Sequence, residues 1–243
     1  MSGHSKWHNI QARKGKQDAV KSSQFTKVAK AITIAAQKGG DPTMNFSLRL
    51  AIEKARAVGM PKDNIERAIK RGTGEDAAAR MEEVLYEAFG PGGIAILIKA
   101  VTDNKNRTVS ELKHILSKNA GSLGGPGSVA WMFGQWGMIV LAKEALINSG
   151  IDPQELELKL IDAGVEDIQD GEAGEIDIRT KVENFKKVLD ALENLKIAIQ
   201  SSAIQWIPKD TIPISSEVEN GLANLFSDLE NNDDVEDYYT NAA

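Results

Sequence analysis

The side chains best suited to chemistry lie near the start of the chain, where cations alternate with an aromatic ring and imidazoles. The first thirty residues hold seven Lys and Arg against one acid, Asp18. Ammonium and guanidinium groups neutralise phosphates, and Trp7 or His8 can stack on an exposed base. This combination predicts contact with a nucleic acid, although Trp7 could instead dock on its own domain. The residues assigned to this contact are Lys6, Trp7, His8, Arg13, Lys14, Lys16, Lys21, Lys27 and Lys30.

A second group of polar side chains lies between Thr102 and Thr108, where a predicted strand gives way to a helix. Free backbone N–H groups at a helix N-terminus bind phosphate, and Asn104, Lys105 and Arg107 could assist. The alternative is a helix cap formed by Asn106 or Thr108, and the two readings can coexist. Farther upstream, three cations fall off the apolar stripe of a predicted helix and extend the basic surface: Arg67, Lys70 and Arg71.

The sequence contains no motif that would bring together the residues of an enzyme's active site. The chain has no Cys, which removes thiolate zinc ligands and cysteine nucleophiles, and the pair His4 and His8 has no matching ligands nearby. The run Gly90-Pro91-Gly92-Gly93 lacks the spacing of a phosphate-binding loop and predicts a tight turn between strands. Acidic residues are scattered, so no acid–base pair stands out. We therefore expect no enzymatic activity, no metal and no cofactor.

Charge is distributed unevenly along the 243 residues. The net charge of −6 divides into +10 over residues 1–72 and −16 over residues 73–243. A basic head on an acidic body favours a polyanionic partner for the head. The absence of a long apolar run and of an apolar signal core predicts a cytoplasmic protein that does not enter a membrane. Because no active-site motif is found, we also expect no small-molecule substrate.

Helical periodicity dominates the head. Apolar residues recur at helical spacing over 21–38, a second helix is expected to open at Asp41-Pro42, and a third spans Pro61–Lys70 with Gly72 as its stop. Residues 1–20 lack an apolar stripe and are expected to form a flexible basic arm. The segment 21–80 is therefore predicted to be a three-helix bundle.

The remainder predicts an α+β fold. Strands around residues 83–88 and 94–101, a helix over 106–118 and a strand at Val129–Phe133 begin one domain, and 131–209 follow the order βαββαβ of a ferredoxin-like plait. A helix at 217–229 and a strand near 235–239 lack partners of their own. We expect them to return to the first domain. This gives two α/β-plait domains, a discontinuous one over 81–130 plus 210–243 and one inserted at 131–209.

Several motifs in one order resemble the YebC family over essentially the whole chain. They include Gly3-His4-Ser5-Lys6-Trp7, Met60-Pro61-Lys62-Asp63-Asn64-Ile65, Gly90-Pro91-Gly92-Gly93, Thr102-Asp103-Asn104-Lys105-Asn106-Arg107-Thr108 and Gly127-Ser128-Val129. The resemblance implies three domains and no known catalytic activity. Members are described as probable transcriptional regulators that bind DNA. Others resemble ribosome-associated translation factors, including a mitochondrial activator of cytochrome oxidase synthesis and bacterial factors that relieve stalling at proline runs.

The acidic body ends in six acids within ten residues, from Asp228 to Asp237. Such a run predicts a solvated loop that maintains solubility. The alternative is a segment that repels nucleic acid or competes for the basic head.

Together these features predict a non-enzymatic nucleic-acid-binding regulator of gene expression, of the kind described as probable DNA-binding transcriptional regulatory proteins. A ribosome-associated RNA-binding translation factor and a protein-interaction adaptor remain as alternatives. The polymer, DNA or ribosomal RNA, is left open because no helix with a base-reading face can be named.

Overall fold

A computed structural model describes residues 17–75, 80–148, 150–171 and 174–243, with side chains described from Gln24 onward and that of Pro153 excepted. It confirms the mixed α+β class, with three helices followed by four-stranded antiparallel sheets that carry helices. The chain divides into two compact units. The inserted unit is Phe133–Ile207, and the main unit comprises the described residues on either side of it, up to Met132 and from Pro208.

The main unit begins with three helices: α1 (Gln17–Ala36), α2 (Phe46–Ala57) and α3 (Lys62–Thr73). Apolar residues three and four positions apart form one stripe on each helix, and the stripes bury one another. The core of this bundle contains Val28, Ile32, Leu48, Ile52, Ile65 and Ala68.

Three of the expected helix boundaries in the bundle are wrong. Helix α1 begins at Gln17 and not at residue 21, so it includes residues 17–20 of the expected basic arm. Helix α2 begins at Phe46 and not at Asp41-Pro42, because the buried Asn45 accepts from the Leu48 N–H through its side chain at 3.1 Å. Helix α3 continues through Gly72 and ends at Gly74, which has a left-handed φ of 82°. A Cβ at Gly72 would lie 2.3 Å from the Thr33 carbonyl oxygen, so this glycine permits close approach of α3 to α1.

The first sheet has the order β3-β1-β2-β8, with β1 at Glu82–Phe89, β2 at Ala95–Thr102, β3 at Ser122–Leu123 and β8 at Val235–Thr240. Helices α4 (Lys105–Lys118) and α8 (Ser216–Glu230) pack on it. Buried Ile96, Ile98, Leu112, Leu116 and Leu225 belong to their shared core. The returning helix and strand therefore complete the sheet that begins at Glu82.

The expected strand at Val129–Phe133 is largely wrong. Residues Ala130–Met132 form a 3-10 turn, and the strand begins only at Phe133. The Glu87 carboxylate explains the difference, because it accepts from the N–H groups of Gly127, Val129 and Ala130 at 2.6–2.8 Å. Those donors are consequently not available for strand pairing.

The inserted unit contains β4 (Phe133–Ala142), α5 (Lys143–Asn148), α6 (Pro153–Ala163), β5 (Val165–Asp170), β6 (Glu175–Thr180), α7 (Phe185–Asn194) and β7 (Ile199–Pro208). Its sheet order, β5-β6-β4-β7, is that of the ferredoxin-like plait. Among the described helices of the chain, none has the length and hydrophobicity needed to cross a membrane.

Candidate nucleic-acid interface

Most of the predicted N-terminal contact residues lie outside the described part of the chain. Lys6, Trp7, His8, Arg13, Lys14 and Lys16 precede Gln17, and Lys21 lies in α1 ahead of the first described side chain. Their assignment stays a prediction. The remaining predicted residues fall on α1, on α3 and at the start of α4.

Two lysines of α1 contact the acidic segment that precedes β8. Lys27 Nζ donates to the Glu230 carbonyl oxygen at 2.6 Å, and Lys30 Nζ donates to the Asp233 carbonyl oxygen at 2.8 Å. Lys30 also forms an ion pair with Asp234 Oδ1 at 2.6 Å. These lysines join the bundle to the first sheet, and their cationic groups face protein oxygens.

Asp234 is the centre of this contact and is only 4% exposed. Besides the Lys30 contact, its carboxylate accepts hydrogen bonds from Arg107 Nη2 at 2.9 Å and from the hydroxyls of Thr108 and Thr102 at 2.8 and 3.2 Å. We call these five side chains the Asp234 cluster. It links helix α1, the end of β2, the start of α4 and the approach to β8.

The electrostatics of the Asp234 cluster favour the ionised carboxylate. Burial alone would raise the pKa of Asp234, but hydrogen bonds from Lys30, Arg107 and Thr108 lower it to about 2. Burial lowers the pKa of Lys27, opposed by the charges of Glu230 and Asp233. A buried carboxylate with two cationic donors is typical of a structural ion-pair network.

The expectation of a solvated acidic loop is therefore wrong. Asp234 is buried, Asp228 accepts from Lys118 Nζ at 2.9 Å, and Glu236 lies 3.1 Å from Lys99 Nζ. The sequence concealed this because Asp228, Asp234 and Glu236 each pair with a cation more than a hundred residues away. The only signal was that the acids flank a predicted closing strand.

At the start of α4, the cap is Asn104 and not Asn106 or Thr108. Asn104 Oδ1 accepts from the Arg107 N–H at 3.1 Å, and the Thr108 hydroxyl belongs to the Asp234 cluster. Lys105 forms an ion pair with Glu82 at 2.5 Å, which raises the pKa of Lys105 and lowers that of Glu82. A phosphate at this helix end would meet the carboxylates of Asp234 and Asp103.

Helix α3 keeps its cations exposed. Lys70 and Arg71 lie in its last turn, and neither has a hydrogen-bond or ion-pair partner among the described residues. Arg67 is oriented by Asn64, whose Oδ1 accepts from Arg67 Nη2 at 2.6 Å. A groove of about 310 Å³ lies between α1 and α3, and Arg67 and Arg71 line it.

The described residues offer little to metal chemistry. Within those ranges, no group of three or more His, Asp or Glu side chains is placed to hold a metal ion. The Gly90–Gly93 run forms the predicted tight turn, in which the Gly93 N–H donates to the Gly90 carbonyl oxygen at 3.1 Å.

Comparison with known proteins assigns both parts of the chain to one family. A family model described as the TACO1/YebC protein N-terminal domain matches residues 5–75, and one described as the TACO1/YebC second and third domain matches residues 81–242. The resemblance read from the sequence motifs is confirmed.

Full-length relatives carry regulatory names. A probable transcriptional regulatory protein of Carboxydothermus hydrogenoformans is 47% identical, with 99% of this chain and 98% of the relative covered. One of Maridesulfovibrio salexigens is 48% identical, with 100% and 95% covered. The crystal structure of a conserved hypothetical protein from Aquifex aeolicus matches with a TM-score of 0.80 and 38% identity, over 93% of this chain and 91% of that one.

Proposed function

The chain belongs to the TACO1/YebC family, and from that premise we propose that it is a non-enzymatic nucleic-acid-binding regulator of gene expression. Its basic helical bundle is the binding surface. The observation that carries this proposal is the uneven pairing of cations between the bundle and the body. The cytoplasm is the compartment in which such a regulator would meet its target.

In the body, several cations of the first sheet and of α4 are paired with carboxylates. Lys99 lies between Glu83 and Glu236 at 3.0 and 3.1 Å, while Lys105 and Lys118 pair with other acids. In the bundle, a set of exposed cations has no hydrogen-bond or ion-pair partner among the described residues: Lys38, Lys54, Arg56, Lys70 and Arg71. Unpaired cations release counterions when they meet phosphates, so the bundle supplies the affinity.

Three of the predicted contact residues change their role in this proposal. Lys27 and Lys30 hold the bundle against the body, and Arg107 does the same from α4. They act as positioning residues, whereas Arg67, Lys70 and Arg71 stay candidates for phosphate contact.

The first form of this function is a transcriptional regulator that binds DNA, and the relatives' names, probable transcriptional regulatory proteins, favour a role in transcription. An RNA-binding factor on the ribosome is the second form. The groove of about 310 Å³ between α1 and α3 favours the latter, because its volume suits an unpaired nucleotide better than a duplex.

The test compares two double variants with the same change in charge. Lys54→Gln with Arg56→Gln removes two unpaired bundle cations, and Lys113→Gln with Lys186→Gln removes two exposed cations of the body. Binding to duplex DNA and to ribosomes is measured across a salt series. The bundle variant should flatten the salt dependence by about 0.9 log units per lost duplex contact, or about 0.7 for single strands.

The body variant should bind as the wild type does. Equal slopes for both double variants would contradict the proposal. A wild-type protein that binds neither duplex DNA nor ribosomes at low salt would favour a protein-interaction adaptor instead.

A further inference from the structure

We propose that the groove between α1 and α3 binds one unpaired nucleotide of a single-stranded nucleic acid, an inference that rests on the proposed function and narrows its ligand. The groove is lined by Phe25, Thr26, Ala29, Thr33, Met60, Asn64, Arg67, Ala68 and Arg71. The base of the bound nucleotide lies on the apolar floor of the groove, and its phosphate contacts Arg67 and Arg71.

The floor of the groove is apolar, so a ligand does not have to supply hydrogen-bond partners to it. Ala29, Met60 and Ala68 contribute short or flexible apolar side chains, and Phe25 adds a partly buried ring. The one buried hydroxyl of the lining, that of Thr33, already has acceptors within the protein. Its oxygen lies 2.9 Å from the Ala29 carbonyl oxygen and 3.2 Å from the Ala68 carbonyl oxygen. Such a surface suits the flat face of a base, which binds by stacking and burial.

The rim of the groove is cationic. Arg67 and Arg71 are four residues apart on α3, so their side chains lie on the same face, one turn from each other. Asn64 holds the Arg67 guanidinium in one orientation, and Arg71 has no hydrogen-bond or ion-pair partner among the described residues. A guanidinium matches the geometry of a phosphate, with two parallel N–H donors.

The charge of the lining distinguishes this groove from the other described one. No acidic residue lines it, whereas the groove of about 610 Å³ on the inserted unit includes Asp162, Glu183 and Asp190 beside its lysines. An anionic ligand would meet those three carboxylates. The α1–α3 groove presents only neutral and positive groups to a ligand.

The volume sets the size of the ligand. About 310 Å³ lies at the lower end of the range for small-molecule sites, enough for a single nucleotide and too little for a duplex. Gly72 allows α3 to approach the Thr33 carbonyl oxygen of α1, which sets the spacing of the two helices that form the walls. A groove of this size selects a base that is already out of its stack.

The experiment measures fluorescence anisotropy of the full chain with a short single-stranded RNA, the same sequence as single-stranded DNA, and duplex DNA. Arg67→Gln with Arg71→Gln removes the rim, and Lys54→Gln with Arg56→Gln removes the same charge elsewhere on the bundle. Single-strand affinity should fall about fivefold to tenfold further in the rim variant than in its control. Duplex affinity should fall equally in both.

Ala29→Leu tests the floor without changing charge. It should fill the groove and weaken single-strand binding about fivefold, while duplex binding stays unchanged. The melting temperature shows whether the Ala29→Leu variant is folded. The variant with Arg67→Gln and Arg71→Gln changes only exposed side chains, so its result does not depend on core packing.

Each outcome separates this inference from the function on which it rests. Equal loss of single-strand affinity in the rim and control variants overturns the groove as a nucleotide site and leaves the bundle as a general cationic surface. A wild-type chain that binds no nucleic acid refutes both. A preference between RNA and single-stranded DNA identifies the polymer, and binding in the groove to either one supports the proposal.

Discussion

Asp234 connects segments that the sequence keeps far apart. Its partner Lys30 lies 204 residues away, and Arg107 lies 127 residues away. Because both cations are donors to one nearly buried carboxylate, removing that carboxylate leaves charges that have lost their compensation. The Asp234 cluster therefore acts together with the hydrogen bond from Lys27 to the Glu230 carbonyl oxygen in holding the bundle against the first sheet.

Asp234→Asn should destabilise the main unit by about 3 kcal/mol, because Lys30 and Arg107 would then face a neutral amide in a partly buried site. The measurement is the free energy of unfolding in urea. Asp210→Asn is the matched control, since Asp210 is exposed and no hydrogen bond or ion pair of its side chain is described. Equal stability of the two variants would show that the cluster contributes nothing net.

The same carboxylate predicts a pH dependence with a defined sign. Its pKa is about 2 in the folded chain, below the value near 3.9 of an unfolded aspartate. Its contribution, about 2 kcal/mol, is present above the unfolded pKa and is lost as the pH falls from about 4 to about 2. The stability gap between wild type and Asp234→Asn should shrink over that window. A gap that is constant down to about pH 2 would contradict the assignment.

At the scale of elements, helix spacing depends on one glycine. The Gly72 position has no room for a methyl group, because a Cβ would lie 2.3 Å from the Thr33 carbonyl oxygen and 2.6 Å from Ala36 Cβ. Helix ends in the bundle depend equally on local chemistry, as the side chain of Asn45 shows at α2.

Gly72→Ala should destabilise the chain by about 2 kcal/mol. Alanine would gain about 1 kcal/mol in a free helix, but the clash with α1 exceeds that gain. Gly125→Ala is the control, because a Cβ there has nothing within 4 Å. Thermal unfolding gives the comparison, and a Gly72→Ala variant as stable as the wild type would mean that α1 and α3 can separate without cost.

Elements were more predictable than their boundaries or their pairings. Apolar periodicity located the bundle helices and the plait order, because burial of a stripe requires a repeated spacing. Apolar spacing does not predict the start of α2, which the Asn45 cap sets, or the end of α3, because Gly72 lies inside that helix and allows close packing. The ion pairs of Asp234 could not be derived, since sequence distance carries no information about which acid meets which cation.

In the candidate site, too, some features follow from composition and others depend on tertiary contacts. Composition alone predicted a basic head, and the bundle cations Arg67, Lys70 and Arg71 are exposed as expected. Lys27, Lys30 and Arg107 have the same residue types but face protein acids, a difference that depends on tertiary contacts. Phe25 and Met60 are apolar, and only the structure places them along a groove.

At the scale of the whole molecule, the inserted unit leaves and rejoins the main unit at adjacent positions. The Lys209 N–H donates to the Met132 carbonyl oxygen at 2.8 Å, and Lys209 Nζ donates to the Trp131 carbonyl oxygen at the same distance. The ends of the insertion are therefore held together by the main unit, which has its own core. The insertion itself carries fourteen Asp and Glu against seven Lys and Arg.

We expect that a chain in which a short Gly-Ser linker replaces Phe133–Ile207 will fold and will bind nucleic acid. The linker has only to span Met132 to Pro208, and every ion pair of the Asp234 cluster is retained. Removal of the insertion deletes seven net negative charges, so affinity for a polyanion should rise at low salt. At physiological salt the gain should fade, because screening acts over about 8 Å.

Circular dichroism melting tests the fold, and anisotropy over a salt series tests the charge effect. Loss of a cooperative transition would show that the main unit depends on the insertion, and a gain that persists at high salt would assign the effect to steric access.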